Sequence, residues 1–255
     1  MNNDSKTTYE LVFGKNPVLE VIENSTLEVN KIWLSEKFSD KDIKQRVLSY
    51  AKEKKIPFHI VHEGKINKLT NNQNHQGLVL SISPIKYLPV SEIIQNTLES
   101  SSIKVILVAH EIEDTHNLGA MIRTFVAAGG KSIILTGRKN LGINSTAIKT
   151  SAGALFQAKF ARTVNCVNVL NELKESGFWV AGTDISSSSE SIYRIDYPDQ
   201  LAILIGNEQE GLGQLVKKNC DYLVKIPINE RVNSLNASVA FGILLFEVIR
   251  QKSLT

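Results

Sequence analysis

The chain has 255 residues, 42% of them hydrophobic and 22% charged, with a formal net charge of +3, which is typical of a globular protein of one large or two small domains. No apolar run approaches the roughly 20 residues of a membrane-spanning helix, and the polar residues at the start lack a signal-peptide core, so a cytoplasmic protein is predicted. Two distant cysteines and five histidines without metal spacing argue against a disulfide framework and a metal site.

Residues 8–83 are predicted to form a small α/β domain, because short apolar runs alternate there with a segment of helical periodicity. Prolines and a closing run of serines mark residues 84–102 as a linker. The elements predicted in this part of the chain are helices at 17–23, 40–54 and, inside the linker, 90–98, and strands at 29–34, 57–61 and 78–82.

Residues 103–255 are predicted to form a second domain with a parallel sheet covered by helices on both faces, because apolar strand-like runs alternate with helical stretches. The predicted strands are 103–109, 132–135, 178–182, 201–205 and 222–226, and the predicted helices are 118–128, 167–175, 212–218 and 236–250. The last helix is apolar on every side between Ala237 and Ile249, with Glu247 as its single charge. This pattern predicts burial on several sides, either in the core or against another subunit.

No Asp or Glu occurs between Thr115 and Asn171, although the same stretch contains seven basic residues. Lys and Arg provide the phosphate contacts of nucleic-acid-binding proteins, so this basic stretch predicts a surface that binds RNA or DNA. The basic residues are Arg123, Lys131, Arg138, Lys139, Lys149, Lys159 and Arg162.

Three segments of the second domain join an apolar run to a polar turn: 117–123, 206–212, and 226–227 followed by 234–238. Asn117 is a plausible N-cap for the helix that carries Arg123, whose planar guanidinium suits a phosphate or a ribose oxygen. Gly206 lets the backbone approach a ligand closely, and Glu208 follows the end of a parallel strand, where α/β proteins bind ligands. In the third segment, Ser234 is a natural helix cap, and Asn236 is a second candidate for that position.

The order, spacing and content of these segments resemble the three motifs of the SpoU/TrmH family of RNA ribose 2′-O-methyltransferases. Residues 9–83 resemble the family's substrate-binding domain, which is of the L30e ribosomal-protein type. The resemblance implies an α/β-knot (trefoil-knot, SPOUT) methyltransferase fold, S-adenosylmethionine as the cofactor, no metal, and a homodimer formed through the knotted domain. The implied reaction transfers a methyl group to the ribose 2′-hydroxyl of a guanosine in 23S rRNA.

The same resemblance assigns roles to residues of the three motifs. It implies that the catalytic pocket contains Arg123, Asn117, Glu208, Ser234 and Asn236, and that the cofactor site is lined by Gly206, Ile226 and Leu235. Arg123 acts either as a general base or by stabilising negative charge, and both roles stay open. Two alternative functions also stay open: methylation of a tRNA guanosine by an enzyme of the same family, and RNA binding without catalysis by a protein that retains the fold.

Overall fold

The computed structural model describes residues 9–24, 27–101, 103–140, 142–186, 189–229 and 231–252. They form two compact units, which the chain enters and leaves more than once. Of the described residues, the first unit contains those up to 86 and the segment 143–156, and the second unit contains 87–142 and those from 157 onward.

The first unit is built around a four-stranded sheet with the strand order β1-β4-β2-β3, in which only β2 and β3 are parallel. Its largest helix, α2, begins after Asp40, whose carboxylate accepts a hydrogen bond from the backbone N–H of Ile43 at 3.2 Å. The elements are β1 (Glu10–Phe13), α1 (Lys15–Asn24), β2 (Val29–Ser35), α2 (Lys41–Glu53), β3 (Phe58–Val61), α3 (Glu63–Leu69) and β4 (Leu78–Ile82).

The second unit begins with the elements β5 (Tyr87–Leu88), α4 (Val90–Leu98), β6 (Val105–His110), α5 (Thr115–Ala127) and β7 (Ser132–Thr136). The chain then returns to the first unit, where it forms α6 (Ser145–Thr150) and enters a 3₁₀ turn (Ala154–Gln157). The remaining elements of the second unit are β8 (Lys159–Thr163), α7 (Cys166–Glu175), β9 (Trp179–Thr183), β10 (Glu190–Ser191), β11 (Leu201–Ile205), α8 (Gln214–Lys218), β12 (Tyr222–Lys225) and α9 (Ala237–Lys252).

The eight strands described in the second unit form one sheet in the order β10-β12-β9-β11-β6-β7-β8-β5, and every pairing in it is parallel. The sequence predicted the parallel sheet and five of these strands. Alternate residues of β6 and β11, such as Ile106 and Leu204, pack in one core cluster with residues of α4, α7 and α8. The opposite face of β11 packs against α9, and the rings of Phe125 in α5 and Phe241 in α9 meet edge to face at 6.1 Å. Helices therefore cover both faces of the sheet.

The two compact units differ from the predicted domains in two places. The predicted linker, residues 84–102, contains β5 and the helix expected at 90–98, and both belong to the second unit. Residues 143–156, which were assigned to the second domain, cluster with the first unit. The predicted boundaries at residues 8, 102 and 255 lie outside the described residues.

Helix α9 is buried on one side within this chain, so the prediction that it is buried on several sides does not hold for a single copy. Phe241, Leu244 and Val248 are buried, whereas Val239 and Phe246 are 50% and 52% exposed. In the part of the chain that the structure describes, no helix is long and apolar enough to cross a membrane.

Candidate active site

Two of the three predicted motifs meet because β6 and β11 are neighbours in the sheet. The two strands run parallel, with Val105 opposite Leu201 and Ala109 opposite Ile205. Their carboxyl ends therefore lie side by side, and the loop that follows β6 emerges next to the loop that follows β11. This edge is where ligands bind in open α/β sheets.

The Glu208 carboxylate joins these two loops. It accepts hydrogen bonds from Nδ2 of Asn117 at 3.1 Å and from the backbone N–H groups of Asp114 and Glu113 at 3.4 and 3.5 Å. Glu208 thus places a negative charge at the start of α5, where the exposed N–H groups of a helix favour it.

The predicted N-cap at Asn117 is wrong, because α5 begins earlier. Asp114 is the capping residue, and its carboxylate accepts a hydrogen bond from the backbone N–H of His116 at 2.8 Å. Asn117 lies within the first turn and is buried, so its side chain does not cap the helix and instead bonds to Glu208.

Asn236 extends this contact to the third motif. Its Nδ2 donates a hydrogen bond to Oδ1 of Asn117 at 2.8 Å, while its own Oδ1 accepts from the backbone N–H groups of Ser238 and Val239 at 2.9 and 3.4 Å. Asn236, rather than Ser234, is therefore the residue that caps α9. Glu208, Asn117 and Asn236 form a continuous hydrogen-bond chain across all three motifs.

Asn207, which was not predicted as a site residue, holds the second motif loop in place. It is buried; its Nδ2 donates to the carbonyl oxygen of Glu111 at 2.9 Å and to the Glu113 carboxylate at 3.0 Å. Its Oδ1 accepts from the backbone N–H groups of Gln209 and Glu210 at 2.9 and 3.0 Å. The available sequence signal was a polar residue placed directly after Gly206 at the end of a buried strand.

A glycine is required at position 206 by the packing of the chain itself. A Cβ atom at this position would lie 2.6 Å from the carbonyl carbon and oxygen of Gly211, where the loop closes through a hydrogen bond from Gly211 N–H to the Asn207 carbonyl. Gly206 also lines a cavity, so any larger residue there would displace the loop and the cavity wall together.

This cavity, about 340 Å³ in volume, opens at the carboxyl ends of β9, β11 and β12. All three predicted cofactor residues, Gly206, Ile226 and Leu235, line it, and so do Glu208 and Ser234. Asn117 and Asn236 do not line the cavity, but the hydrogen-bond chain connects them to its wall at Glu208.

Asp184 gives the cavity a fixed negative charge that the sequence analysis missed. Its side chain is 6% exposed and lies 2.8 Å from Nζ of Lys217, and the hydroxyl groups of Ser186 and Ser189 donate to it at 2.6 and 3.1 Å. Burial alone would raise the pKa of Asp184, but these hydrogen bonds outweigh it and lower the pKa to about 2. The carboxylate is therefore ionised at neutral pH. Its position directly after β9, at the ligand-binding edge, was the signal available in the sequence.

Arg123 lies apart from the other predicted catalytic residues. It is exposed on α5, and it does not line the cavity. The six residues from Asn117 to Arg123 correspond to about 240° of net rotation and roughly 9 Å of rise along a helix. Within the described part of the chain, the Arg123 guanidinium forms no hydrogen bond or ion pair, so it is available to bind RNA or another copy of the chain.

The acid-free basic stretch does not form the single surface that was predicted. Lys131 and Lys159 lie at the amino ends of β7 and β8, whereas Arg138 and Lys139 follow the carboxyl end of β7. Lys149 belongs to the first unit. Residues that are close in sequence are separated here because each strand crosses the sheet from one edge to the other.

At least four of these basic residues make contacts within the protein. Nζ of Lys159 donates to Oδ1 of Asn96 at 2.5 Å, and Nζ of Lys149 lies 5.4 Å from the centroid of the Phe13 ring. Nζ of Lys139 lies 3.1 Å from the Glu210 carboxylate and 3.7 Å from that of Glu113, and the hydrogen bond to Glu210 is the largest cause of the raised pKa of Lys139. The Arg162 guanidinium donates to the carbonyl oxygen of Asn140 at 2.6 Å. Among the described residues, no group of three or more His, Cys, Asp or Glu side chains is arranged to hold a metal ion.

Family models match both parts of the chain. The model of the SpoU rRNA methylase family matches residues 104–246, and a model described as RNA 2′-O ribose methyltransferase substrate binding matches residues 11–88. A putative TrmH family tRNA/rRNA methyltransferase of Bacillus subtilis is 36% identical over 96% of this chain and 97% of its own length. A protein of the same description from Staphylococcus haemolyticus is 35% identical over 95% of this chain and 96% of its own length.

Solved structures share the fold. The SpoU methyltransferase AviRb from Streptomyces viridochromogenes, in complex with the cofactor AdoMet, has a TM-score of 0.81 and 21% identity over 99% of this chain and 94% of its own. An AdoMet-bound rRNA methyltransferase from Sinorhizobium meliloti has a TM-score of 0.79 and 24% identity over 95% of this chain and 87% of its own. These likenesses confirm the predicted fold, a SPOUT-type parallel-sheet domain preceded by a smaller α/β domain.

The contact between Asn117 and Glu208 predicts a pH-dependent loss of stability in the variant Asn117→Asp. Two carboxylates would then face each other across the 3.1 Å contact, so the free energy of unfolding at neutral pH should fall by about 1–3 kcal/mol. The loss should shrink as the pH is lowered, because protonation of one carboxyl restores a hydrogen-bond donor. Urea unfolding measured at several pH values tests this expectation.

The double variant Asn117→Asp/Glu208→Gln should recover most of the loss, since the new amide donates back to the new carboxylate. Asn168→Asp, which places the same charge at an exposed position in α7, is the control and should stay within about 0.5 kcal/mol of the wild type. Wild-type stability of Asn117→Asp at neutral pH would contradict the proposed contact.

Proposed function

Since the chain belongs to the SpoU rRNA methylase family and is therefore an RNA methyltransferase, we propose that it transfers a methyl group from S-adenosylmethionine to a ribose 2′-hydroxyl of RNA. The observation that carries the proposal is the hydrogen-bond chain of Glu208, Asn117 and Asn236, which joins all three motifs beside a ligand-sized cavity. Transfer of labelled methyl from S-adenosylmethionine to RNA by the purified protein tests it directly.

The cavity fits S-adenosylmethionine in size and chemistry. Its volume of about 340 Å³ lies within the range of small-molecule pockets, about 300–1,000 Å³. The aliphatic side chains of Ile226 and Leu235 provide apolar walls suited to a purine, while the carboxylate oxygens of Asp184 and Glu208 provide acceptors for the polar parts of the molecule. When bound, S-adenosylmethionine supplies an activated methyl group, so the protein has to position the ribose and stabilise the charge on its oxygen.

The residues of the three motifs divide this work. Glu208 lines the cavity and is held in position by the hydrogen bond from Asn117. Its carboxylate would help to orient the ribose beside the cofactor. Ser234 is exposed and lines the cavity, so its hydroxyl is available to the ribose. Arg123, which lies outside the cavity of its own chain, would be supplied to the cavity of a second copy, where its positive charge stabilises the developing alkoxide and the neighbouring phosphate.

For the RNA substrate, we propose a guanosine of 23S rRNA, which is modified in the cytoplasm. The support is the family resemblance of the motifs together with the substrate-binding domain, whose family model covers residues 11–88. The first unit would select the RNA, and the second would carry out the methyl transfer.

The cavity assignment predicts that Leu235→Trp weakens S-adenosylmethionine binding at least about tenfold, because the larger ring occupies space needed by the cofactor. Isothermal titration calorimetry measures the effect, and the thermal unfolding midpoint shows whether the variant is folded. Leu215→Trp is the matched control, since Leu215 is 66% exposed and does not line the cavity. Equal affinities of a folded Leu235→Trp variant and the wild type would exclude this cavity as the cofactor site.

The proposed role of Arg123 predicts that Arg123→Ala lowers the single-turnover methylation rate by about a hundredfold or more when RNA and cofactor are both saturating. Arg123→Lys should lower this methylation rate as well, because an ammonium does not reproduce the planar guanidinium. Arg138→Ala removes an exposed arginine that follows the carboxyl end of β7. This variant should weaken RNA binding while leaving the methylation rate at saturating RNA and cofactor nearly unchanged. A near-normal rate for Arg123→Ala would remove Arg123 from the catalytic residues.

We also propose a homodimer formed through α9. Val239 and Phe246 expose apolar surface on this helix, and Arg123 lies outside the cavity of its own chain, which a second copy could complete. Sedimentation at micromolar concentration should give about twice the 28.3 kDa of one chain, and Phe246→Lys should give a monomer. Ile60→Lys, at an exposed apolar residue of the first unit, should stay dimeric. A monomeric wild type would contradict the proposal.

A further inference from the structure

A loop of the first unit combines an unusual backbone with an unusual set of side chains. It comprises residues 71–77, between α3 and β4, and we call it the amide loop. Four of its seven residues have left-handed backbone conformations: Asn71 (φ 50°), Asn72 (φ 58°), Gln76 (φ 50°) and Gly77 (φ 76°). Residues other than glycine rarely adopt this conformation, and such strain persists where the surrounding structure enforces it.

His75 enforces the conformation from inside the loop. Its side chain is buried; Nε2 lies 2.7 Å from Oδ1 of Asn67, and Nδ1 accepts a hydrogen bond from the backbone N–H of Gly77 at 2.9 Å. Because Nδ1 is an acceptor, the proton of the neutral ring lies on Nε2, which donates to Asn67. Burial is the main cause that lowers the pKa of His75; Glu63 opposes the shift and Lys149 adds to it. The ring is therefore neutral at physiological pH.

Further bonds hold the loop without using the side chains at its tip. The backbone N–H of Asn72 donates to the carbonyl oxygen of Asn67 at 2.8 Å, and that of Gln73 donates to the carbonyl oxygen of Thr70 at 3.0 Å. Oε1 of Gln76 accepts from the backbone N–H of Lys15 at 2.8 Å. The loop is thus fixed at both ends.

The four side chains at the tip all end in carboxamides and are left unused. These exposed residues are Asn71, Asn72, Gln73 and Asn74. Their amide groups form no hydrogen bonds within the described part of the chain. Each carboxamide carries both donors and an acceptor, which suits the edges of nucleobases, and having no charge it does not favour phosphates. Lys68, which is exposed at the end of α3, is placed to meet the phosphates of the same RNA.

We propose that the amide loop reads unpaired bases of the RNA substrate and so contributes to the choice of the methylated site. Unpaired loops are where proteins read RNA sequence, because their base edges are accessible. The proposal rests on the proposed function, and the match to a substrate-binding family model includes the loop. A fixed backbone suits this task, since only the side chains of the loop have to be ordered when RNA binds.

The test is the double variant Gln73→Ala/Asn74→Ala, which removes two free amides at positions without left-handed strain. The affinity for an rRNA fragment that the wild type methylates should fall at least about tenfold, and the preference over an unrelated structured RNA should fall with it. The slope of log Kd against log salt concentration should stay unchanged, because no charge is lost. Turnover at saturating RNA and the Kd for S-adenosylmethionine should also stay unchanged.

Two controls separate this effect from other causes. Asn30→Ala/Gln45→Ala removes two exposed amides elsewhere in the first unit and should leave RNA affinity intact. Lys68→Ala should instead reduce the salt slope by about one unit, as expected for a phosphate contact. Unchanged affinity and preference of the amide-loop variant, or a changed salt slope, would overturn the proposal. Failure of the wild type to methylate any RNA would instead overturn the proposed function.

Discussion

The parallel pairing of β6 with β11 is the constraint on which the site depends. The two strands are about ninety residues apart in sequence, yet their registered pairing brings the loops that follow them to the same point of the sheet edge. Only then can the Glu208 carboxylate accept from backbone N–H groups of the other loop and from Asn117. A buried parallel pair of this kind is rigid, so it positions the polar groups without requiring the loops themselves to be long or heavily cross-linked.

The cavity follows from the same arrangement. Gly206 allows the second motif loop to close tightly on Gly211, and Asn207 fixes that loop to the first motif loop, so one cavity wall is set by backbone packing. The lining also contains the ion pair of Asp184 and Lys217, which holds the carboxylate in place at 6% exposure of its side chain. The atoms that line the cavity are therefore neighbours of atoms that hold the loops, and substitutions meant to change only the lining have to avoid Gly206 and Asn207.

The sequence predicted the most apolar elements well, because apolar runs and helical periodicity report burial directly. The strands 78–82 and 201–205 and the helix 90–98 have the predicted bounds, and residues of all three motifs meet at one edge. Sequence reasoning missed β1, β5, β8, β10, α3 and α6, which are two to seven residues long and mix polar with apolar residues, so they show no clear period or apolar run. It also placed the N-cap at Asn117, because Asp114 and Asn117 are equally good caps by residue type. The basic stretch was treated as one surface because the charge pattern was considered separately from the strand predicted at 132–135, which lies between Lys131 and Arg138 and carries them to opposite edges of the sheet.

The central claim, that this chain methylates a ribose of RNA, is tested most directly by mapping 2′-O-methylated nucleotides in the rRNA and tRNA of its source organism with and without the gene. The account predicts that one 2′-O-methylguanosine of 23S rRNA disappears without the gene. It also predicts that a wild-type copy restores this methylation and that an Arg123→Ala copy does not. An unchanged pattern of ribose methylation in all RNAs would contradict the account.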